Sequence, residues 1–440
     1  MRGRRMNESK QAAWLEMHQE ALRTAPPAGP DFLEQLRAQA QARFRERGFP
    51  TLRQERWRFT DVSPVAETAW RRAADCAERA DLPLPELSVD PTAYRLVFIN
   101  GRFSQTHSRL PGPEVSFSVQ RLSMLSNGVK ELAARRMTET AVRTEQPFAL
   151  LNSALADEGV IIFIPDRMAL LVPLEIHHYI DAAEAVVHPR VVMILGEQAE
   201  ALLIESYSGR GGERYFANPM ADVVVGSGSR LDHYIVQRES AAAYHLSSTR
   251  TTLGREARYN RFALDFGGRL VRHDLEVELE GDGAEASLSG LYMPAGRQHI
   301  DHHTTLRHLQ PHTFSRQLYK GVLQDKAHAV FNGRIFVARE AQRTDAIQHN
   351  RNLLLSDDAQ ADSQPQLEIF ADDVRCTHGG TIGQLDQEGL FYLRSRGIGG
   401  EMARQIMVHA FAGQVTGAIG LAPVRELAED LVAERLGREE

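Results

Sequence analysis

Cysteine is nearly absent from this chain: Cys76 and Cys376 are the only two in 440 residues. Two thiols so far apart exclude a disulfide framework and any CxxC metal site. No apolar run approaches the ~18 residues of a membrane span, and the first residues lack an apolar signal core, so a cytoplasmic location is expected. Basic charge is not in excess either. Lys and Arg number 51 against 58 Asp and Glu, a formal net charge of -7, which argues against a nucleic-acid partner. The basic runs at 1–5 and 53–58 read as solvated termini and helix faces. There is no GxSxG elbow, no GxxxxGK[ST] loop, and no GxGxxG after a strand. The GSGSR of residues 226–230 has two glycines but no helix to supply an anion-binding N-terminus. The expectation is a chain that is not an enzyme and binds no nucleotide itself.

What is present is ordinary for a globular protein, with 42% hydrophobic and 25% charged residues, and the length allows two or three domains. Residues 8–23 have apolar positions at helical spacing, stopped by Pro26, Pro27 and Pro30. A second helix is expected from Asp31, whose side chain can cap it, through Phe32, Leu33, Leu36, Ala40 and Phe44, ending before Gly48 and Pro50. In RQERWRFTDVSP, Trp57 and Phe59 read as a strand or turn pinning the helices to a core. Residues 66–80 read as another polar helix, with Cys76 on its face. Asn100-Gly101 in LVFINGRFS is a hairpin dipeptide, and two helices follow, in LSMLSNGVKELAARR and EQPFALLNSALADEG.

From Val160 the character changes. Short apolar alternations recur (VIIFIP, RVVMILG, AEALLIESYS, ADVVVGSGSRLDHYIVQRE), with no helical pattern of 10 to 15 residues between them. This argues against a doubly wound fold and suggests a sandwich, barrel or β-helix. The alternation lasts longer than one sandwich needs, and the amides Asn332, Gln342, Gln348, Asn350 and Asn352 recur near strand edges where stacked coils can form ladders. Both favour the β-helix. After Phe391 the pattern is helical again. Ile398, Met402, Ile406 and Ala410 form an apolar stripe, with Val408, Phe411 and Val415 beside it, and a last helix after Pro423 presents Val424, Leu427, Leu431 and Val432. This hairpin suits packing against the end of the β-core.

The organising stretch runs from Pro365 to Ile398. Side chains on a strand alternate, so Val374, Cys376 and His378 share one face. A thiol and an imidazole side by side could give two ligands of an iron or iron-sulfur site, which is not a complete set. Alternatively, Cys376 follows Val374 into a core and His378 caps a turn at Gly379-Gly380.

The run ADDVRCTHGGTIGQLDQEGLFYLRSRGI resembles the signature of the SufB/SufD family of iron-sulfur cluster assembly proteins, its CTHG form the SufD side in particular. LYKGVLQDKAHAVFNGRIFV (318–337), AQRTDAIQHNRNLLLS (341–356) and RWRFT (56–60) are similar to the same family. The resemblance implies a right-handed parallel β-helix (157–393) between a mostly helical N-terminal region (1–156) and a C-terminal helical region (394–440). It implies a SufB-like paralogue and a SufC-like ABC ATPase as partners, with a cysteine desulfurase system as a further one; separately, an unpaired β-edge is sticky, so a homodimer is expected when the chain is isolated. The implied cargo is iron or a transient iron-sulfur cluster shared with a partner chain, with His378 as a ligand and Cys376 beside it. Arg394, Arg396, Met402, Ile406 and Phe411 fall in the segment expected to dock the ATPase. SufB-type members usually carry more cysteines, so this chain looks like the accessory paralogue, unable to hold a cluster alone. An imidazole binds iron only when neutral, so iron binding should weaken on acidification.

A rival site lies among His299, His302, His303, His308 and His312. On a strand, His299 and His303 share a face with Asp301, a possible mononuclear triad for a metal-dependent β-helix or cupin-like enzyme. The same histidines could equally be polar ladder residues between stacked strands. A purely structural partner of a SufB-like chain is a third reading.

Overall fold

A computed structural model describes residues 30–437 except 80, 81, 83, 85–88, 113–115 and 157, and, of the earlier residues, Glu16. The helix expected at 8–23 and the boundary at Asp157 therefore lie outside the described residues. The core is a β-solenoid of about 8 turns with helices at both ends of the chain. Among the described residues the strands form two sheets, of 12 and 10 strands, to which successive strands go alternately from Met220–Val225 onward, and within each sheet nearly all neighbours are parallel. The expected β-helix is thus what forms.

The repeat is carried by backbone geometry rather than by residue type. Arg167, Gln198, Gly228, Glu256, Gly283, His312 and Arg343 all have φ between 54° and 69°. They occupy the same corner of successive coils, each donating its N–H to the next coil: Gln198 to Ser227 O, Gly228 to Arg255 O, Glu256 to Asp282 O. Five residue types would not register as a repeat in the sequence. Beside this column, Gly226, Gly254 and Gly281 run so close to the preceding coil that a Cβ at Gly281 would lie 2.0 Å from the Arg255 nitrogen. There glycine is a steric requirement.

The two ends of the solenoid differ. At the start, the hairpin Tyr94–Ile99 and Arg102–Arg109 closes the ten-stranded sheet, turning at Asn100 and Gly101, both with positive φ. Ser118–Arg121 pairs antiparallel with Gly159–Ile164 to close the other. At the finish, Gln360–Ile369 and Arg375–Gly383 are the last strands of their sheets and pair on one side only. Pro365 lies in the first of these, as suits an edge strand.

Each sheet is clad on its outer face. Phe32–Arg47, Asn127–Arg143 and Pro147–Leu155 cover the twelve-stranded sheet, burying Leu33, Leu36, Phe44, Met137 and Phe148 against Ile161, Val192 and Phe216. Asp31 precedes the first of these helices, but its side chain makes no capping bond and its own backbone is already helical. Trp57 is buried in a 3₁₀ turn, 5.5 Å from the Phe148 ring and 3.7 Å beneath the Arg272 guanidinium. It pins the helices to the core as expected.

Residues 66–80 do not form the expected helix. The helix there stops at Glu67, because Trp70 is buried and donates to Val65 O, and Arg71–Arg72 then pair with Ala185–Val186. Cys76 is not on a helix face but in an irregular segment, half-buried beside Ala77 and Val97. The C-terminal helices Gly400–Thr416 and Ala422–Gly437 lie across the face of the ten-stranded sheet, not its end. Val408, Val415, Val424 and Val432 pack on Tyr234, Phe262, Leu291 and Val322. Among the described residues, no helix is long and apolar enough to cross a membrane.

Candidate functional site

The inward positions of the ten-stranded sheet stack into columns. One runs Tyr259, Ala286, Ser315, Ala346, Cys376, and the next Arg261, Leu288, Gln317, Gln348, His378. Cys376 and His378 are therefore inward-facing neighbours on the last rung, with Cα atoms about 6.6 Å apart by strand geometry. The strand runs on through Gly379 and Gly380 to Gly383, so His378 caps no turn there. The chain turns earlier, between Ile369 and Arg375, which makes the organising stretch two strands in different sheets.

The two side chains meet different surroundings. Cys376 packs on the end of the core, and burial pushes its thiol up from the ordinary value, the nearby Asp345 adding to this and the Ala346 backbone opposing it. His378 is exposed. Around them the mouth of the solenoid shows Ile369, Phe370 and Ile382, large apolar side chains open to solvent. Sulfur and imidazole donors suit iron, yet among the described residues no three Cys, His, Asp or Glu side chains come together to hold a metal.

Below the mouth the interior is polar, which apolar-in, polar-out alternation does not anticipate. Gln348 is fully buried and both atoms of its amide lack a partner among the described residues. It crosses the interior to Gly333, where a Cβ would collide with it at 1.7 Å. Asn350 donates to the Tyr292 hydroxyl at 2.9 Å and Asn352 to Asn350 at 2.8 Å. These amides thus lie on inward columns rather than at strand edges, and only Asn332, bonded to Gln364 at 3.2 Å, makes a ladder pair between coils. Gln342 sits in a corner turn. Deeper still, rings stack along the axis: His178 on Tyr207, His245 near His273, and His273 on His302 at 5.1 Å. Asp265 accepts from His273 at 2.7 Å and faces His302 at 3.1 Å.

The histidine tract divides between two faces. His302 and His308 point inward, His299 and His303 outward with Asp301, as alternation requires, and His312 sits at a corner. The outward triad is already engaged. Asp301 accepts from Arg272 at 2.6 Å and from Thr60 at 2.5 Å and contacts His303 at 3.1 Å, while Thr60 also bonds His299. Burial raises the Asp301 carboxyl, but the guanidinium of Arg272 and the His303 contact outweigh it and hold the group well below its usual range. This is a salt-bridge network under the N-terminal segment.

The second cluster of interest follows the mouth. The helix Gln387–Ser395 begins at Asp386, whose carboxylate accepts from the Glu388 and Gly389 N–H groups. Phe391 and Tyr392 on it are exposed, as are Met402 and Ile406 on the next helix. Gln387, Glu388, Phe391, Tyr392 and Ser395 line a shallow groove. Arg394 is exposed and Arg396 lies over the Tyr392 ring at 4.9 Å. The stripe of Ile398, Met402, Ile406 and Ala410 thus faces outward, and its neighbours Val408 and Val415 face the sheet. Phe411 is half-buried between the two. Lys320, buried in the sheet, donates to the Phe411 carbonyl at 2.7 Å with its ammonium 4.0 Å over that ring, and burial lowers its pKa to about 8. The sequence reading missed Phe391 and Tyr392, although the Asp386 cap just before them was a usable signal.

Residues 178–411 match the family model described as "SUF system FeS cluster assembly, SufBD core domain", and residues 8–176 match "SufBD protein N-terminal region". An iron-sulfur cluster assembly SufBD family protein of Synechocystis sp. is 31% identical over 390 residues, 86% of this chain and 85% of the relative. The iron-sulfur cluster assembly protein SufD of Escherichia coli is 32% identical over 379 residues, 84% and 86% of the two chains. The chloroplastic protein ABCI7 of Arabidopsis thaliana is 31% identical over 294 residues, 65% and 62%.

Proposed function

The chain belongs to the SufBD family of iron-sulfur cluster assembly proteins, and from that premise we propose that it is a SufD-like, non-catalytic subunit of a cluster-assembly scaffold. Its partners in this reading are a SufB-like paralogue, a SufC-like ABC ATPase and, as sulfur source, a cysteine desulfurase system. The observation that carries it is the placement of Cys376 and His378 on the last, unpaired rung of the solenoid. Two unpaired parallel edges beside exposed Ile369, Phe370 and Ile382 favour the addition of another chain's strands. A paralogue docked there would bring the missing ligands to the thiol and imidazole, and the iron or nascent cluster is the cargo held between them. With no paralogue present, a second copy of the chain would cover the same edge.

The ATPase would dock on the exposed face formed by Phe391, Tyr392, Met402 and Ile406, with Arg394 and Arg396 at its rim. Phe411 acts from beneath, because Lys320 ties it to the strand Phe314–Leu323, two rungs from His378. Movement of the docking helices would thereby reach the mouth.

Co-expression with the neighbouring genes, followed by pull-down, tests the reading. The paralogue and the ATPase should both co-purify. Phe391→Asp with Ile406→Asp, each at an exposed position, should cost the complex most of its ATPase while the paralogue stays. Loss of neither partner, or of both together, would count against these two surfaces.

A further inference from the structure

A cavity of about 260 Å³ lies between the end of the helix Asn127–Arg143 and the outer face of the twelve-stranded sheet. Five arginines reach it from five separate segments: Arg56 from the 3₁₀ turn, Arg143 from the helix end, and Arg250, Arg307 and Arg334 from three different strands. Convergence of like charges on one cavity is unfavourable unless something of opposite sign is supplied.

Arg334 is paired with Glu368 at 2.5 Å, outside the cavity wall, but the carboxylates near the other four arginines do not supply enough. Glu278 alone serves three of these arginines, Arg250 at 2.5 Å, Arg307 at 3.6 Å and Arg143 at 3.9 Å. Asp274 is held by both oxygens to Arg272, at 2.9 and 3.1 Å, before it meets Arg56 at 3.3 Å. Of the other acids on the wall, Glu145 is paired with Arg47, and Glu276 is a single charge. Buried donors are also left over. The Nε–H groups of Arg56, Arg250 and Arg334 and the hydroxyl of Ser248 have no hydrogen-bond partner among the described residues, and Arg250 is only 5% exposed. Buried polar groups in native proteins are almost always satisfied, so unpartnered donors on several sides of one cavity point to an acceptor that fills it.

The chemistry of that acceptor follows from the wall. Guanidinium forks match planar or tetrahedral oxyanions, and donors arriving from the helix side and from three strands suit a tetrahedral dianion with several oxygens. Met220 and Ala149 add apolar surface, which a bare inorganic ion would not use. We propose that this cavity binds the phosphate group of a small organic phosphate, with its apolar part against Met220 and Ala149. The grip is by side chains, with no glycine-rich loop involved.

Titration of the full chain with phenyl phosphate and with inorganic phosphate, followed by calorimetry and ³¹P NMR, tests the site. Phenyl phosphate should saturate one site per chain and bind on the order of tenfold more tightly than inorganic phosphate. Arg307→Gln and Arg143→Gln, whose side chains are 32% and 56% exposed and so can change without unfolding the chain, should each weaken it on the order of tenfold. Arg210→Gln, in a separate ion pair with Asp181, should leave it unchanged. The site is overturned if phenyl phosphate does not saturate, if the two probes bind equally, or if neither Arg307→Gln nor Arg143→Gln weakens binding in a folded protein.

Discussion

Acidification below pH 6.5 is expected to unfold this protein, the loss of stability running from pH 6.5 down toward 4. Five histidines are buried in the neutral form. Burial lowers His177 to about 3, and His178, His273, His299 and His308 to about 4. In the unfolded chain each would titrate near 6.5. Between the two values the unfolded state therefore binds a proton that the folded state refuses, so stability is fully present above pH 6.5 and falls as pH drops. Each histidine costs ~1.4 kcal/mol per pH unit in that window. Five acting independently would cost about 7 kcal/mol per unit, comparable with the whole stability of a typical domain.

The carboxylates of Glu205, Asp265 and Asp301 are held below their usual range despite burial, by their imidazole and guanidinium partners, so their contribution is lost only below about pH 4. The expected order is thus histidines first, carboxylates after. Urea unfolding at a series of pH values measures it. His178 stacks between Phe98 and Tyr207 with no hydrogen-bond partner for either ring nitrogen among the described residues. His178→Phe should therefore remove about one proton from the slope while leaving the fold intact. A pH-independent midpoint from 7.5 to 5 would contradict the buried neutral histidines.

The second large effect is expected at Arg190. Its guanidinium and the Asp222 carboxylate are both fully buried under the N-terminal helices, 2.5 Å apart. Asn152 and Ser153 accept from the same guanidinium, and Thr140 donates to Asp222. Arg190→Met leaves a buried carboxylate with one hydroxyl donor, and should cost roughly 3–5 kcal/mol. Replacing both partners, Arg190→Met with Asp222→Leu, removes the uncompensated charge and should recover most of that loss. Thermal and urea unfolding of the single and double variants decide it. Equal destabilisation in both would mean that packing volume, not charge pairing, matters at this place.

Much of this architecture was legible in the sequence. Alternation gave the strands, and Asn100-Gly101 the hairpin, because both depend on local backbone chemistry. The coil period was not legible, since a left-handed corner is filled by arginine, glutamine, glutamate, histidine or glycine alike. Residues 66–80 read as a polar helix because nothing local reveals that Trp70 is drawn into a core made with Phe216 and Tyr244, about 150 residues away. The helix Gly400–Thr416 carries apolar residues on two faces, and pattern alone does not say that Val408 and Val415 take the sheet while Met402 and Ile406 stay outside. Likewise Cys376 and His378 share a face by strand geometry, but that they close the last rung of an open solenoid is a matter of topology. HIDHH has the composition of a metal tract; Thr60 and Arg272, which occupy its outward carboxylate, lie too far away in sequence to be read with it.

The most direct measurement of the central claim is iron-sulfur content after anaerobic reconstitution of the proposed complex with a SufB-like paralogue and a SufC-like ATPase, wild type against His378→Ala. His378 is exposed at the mouth, so the substitution should leave assembly of the subunits unchanged. The account predicts a complex of the same composition with most of its cluster lost, and Cys376→Ala a smaller loss. An intact complex with undiminished cluster content in His378→Ala would contradict the assignment of the site to the open end of the solenoid.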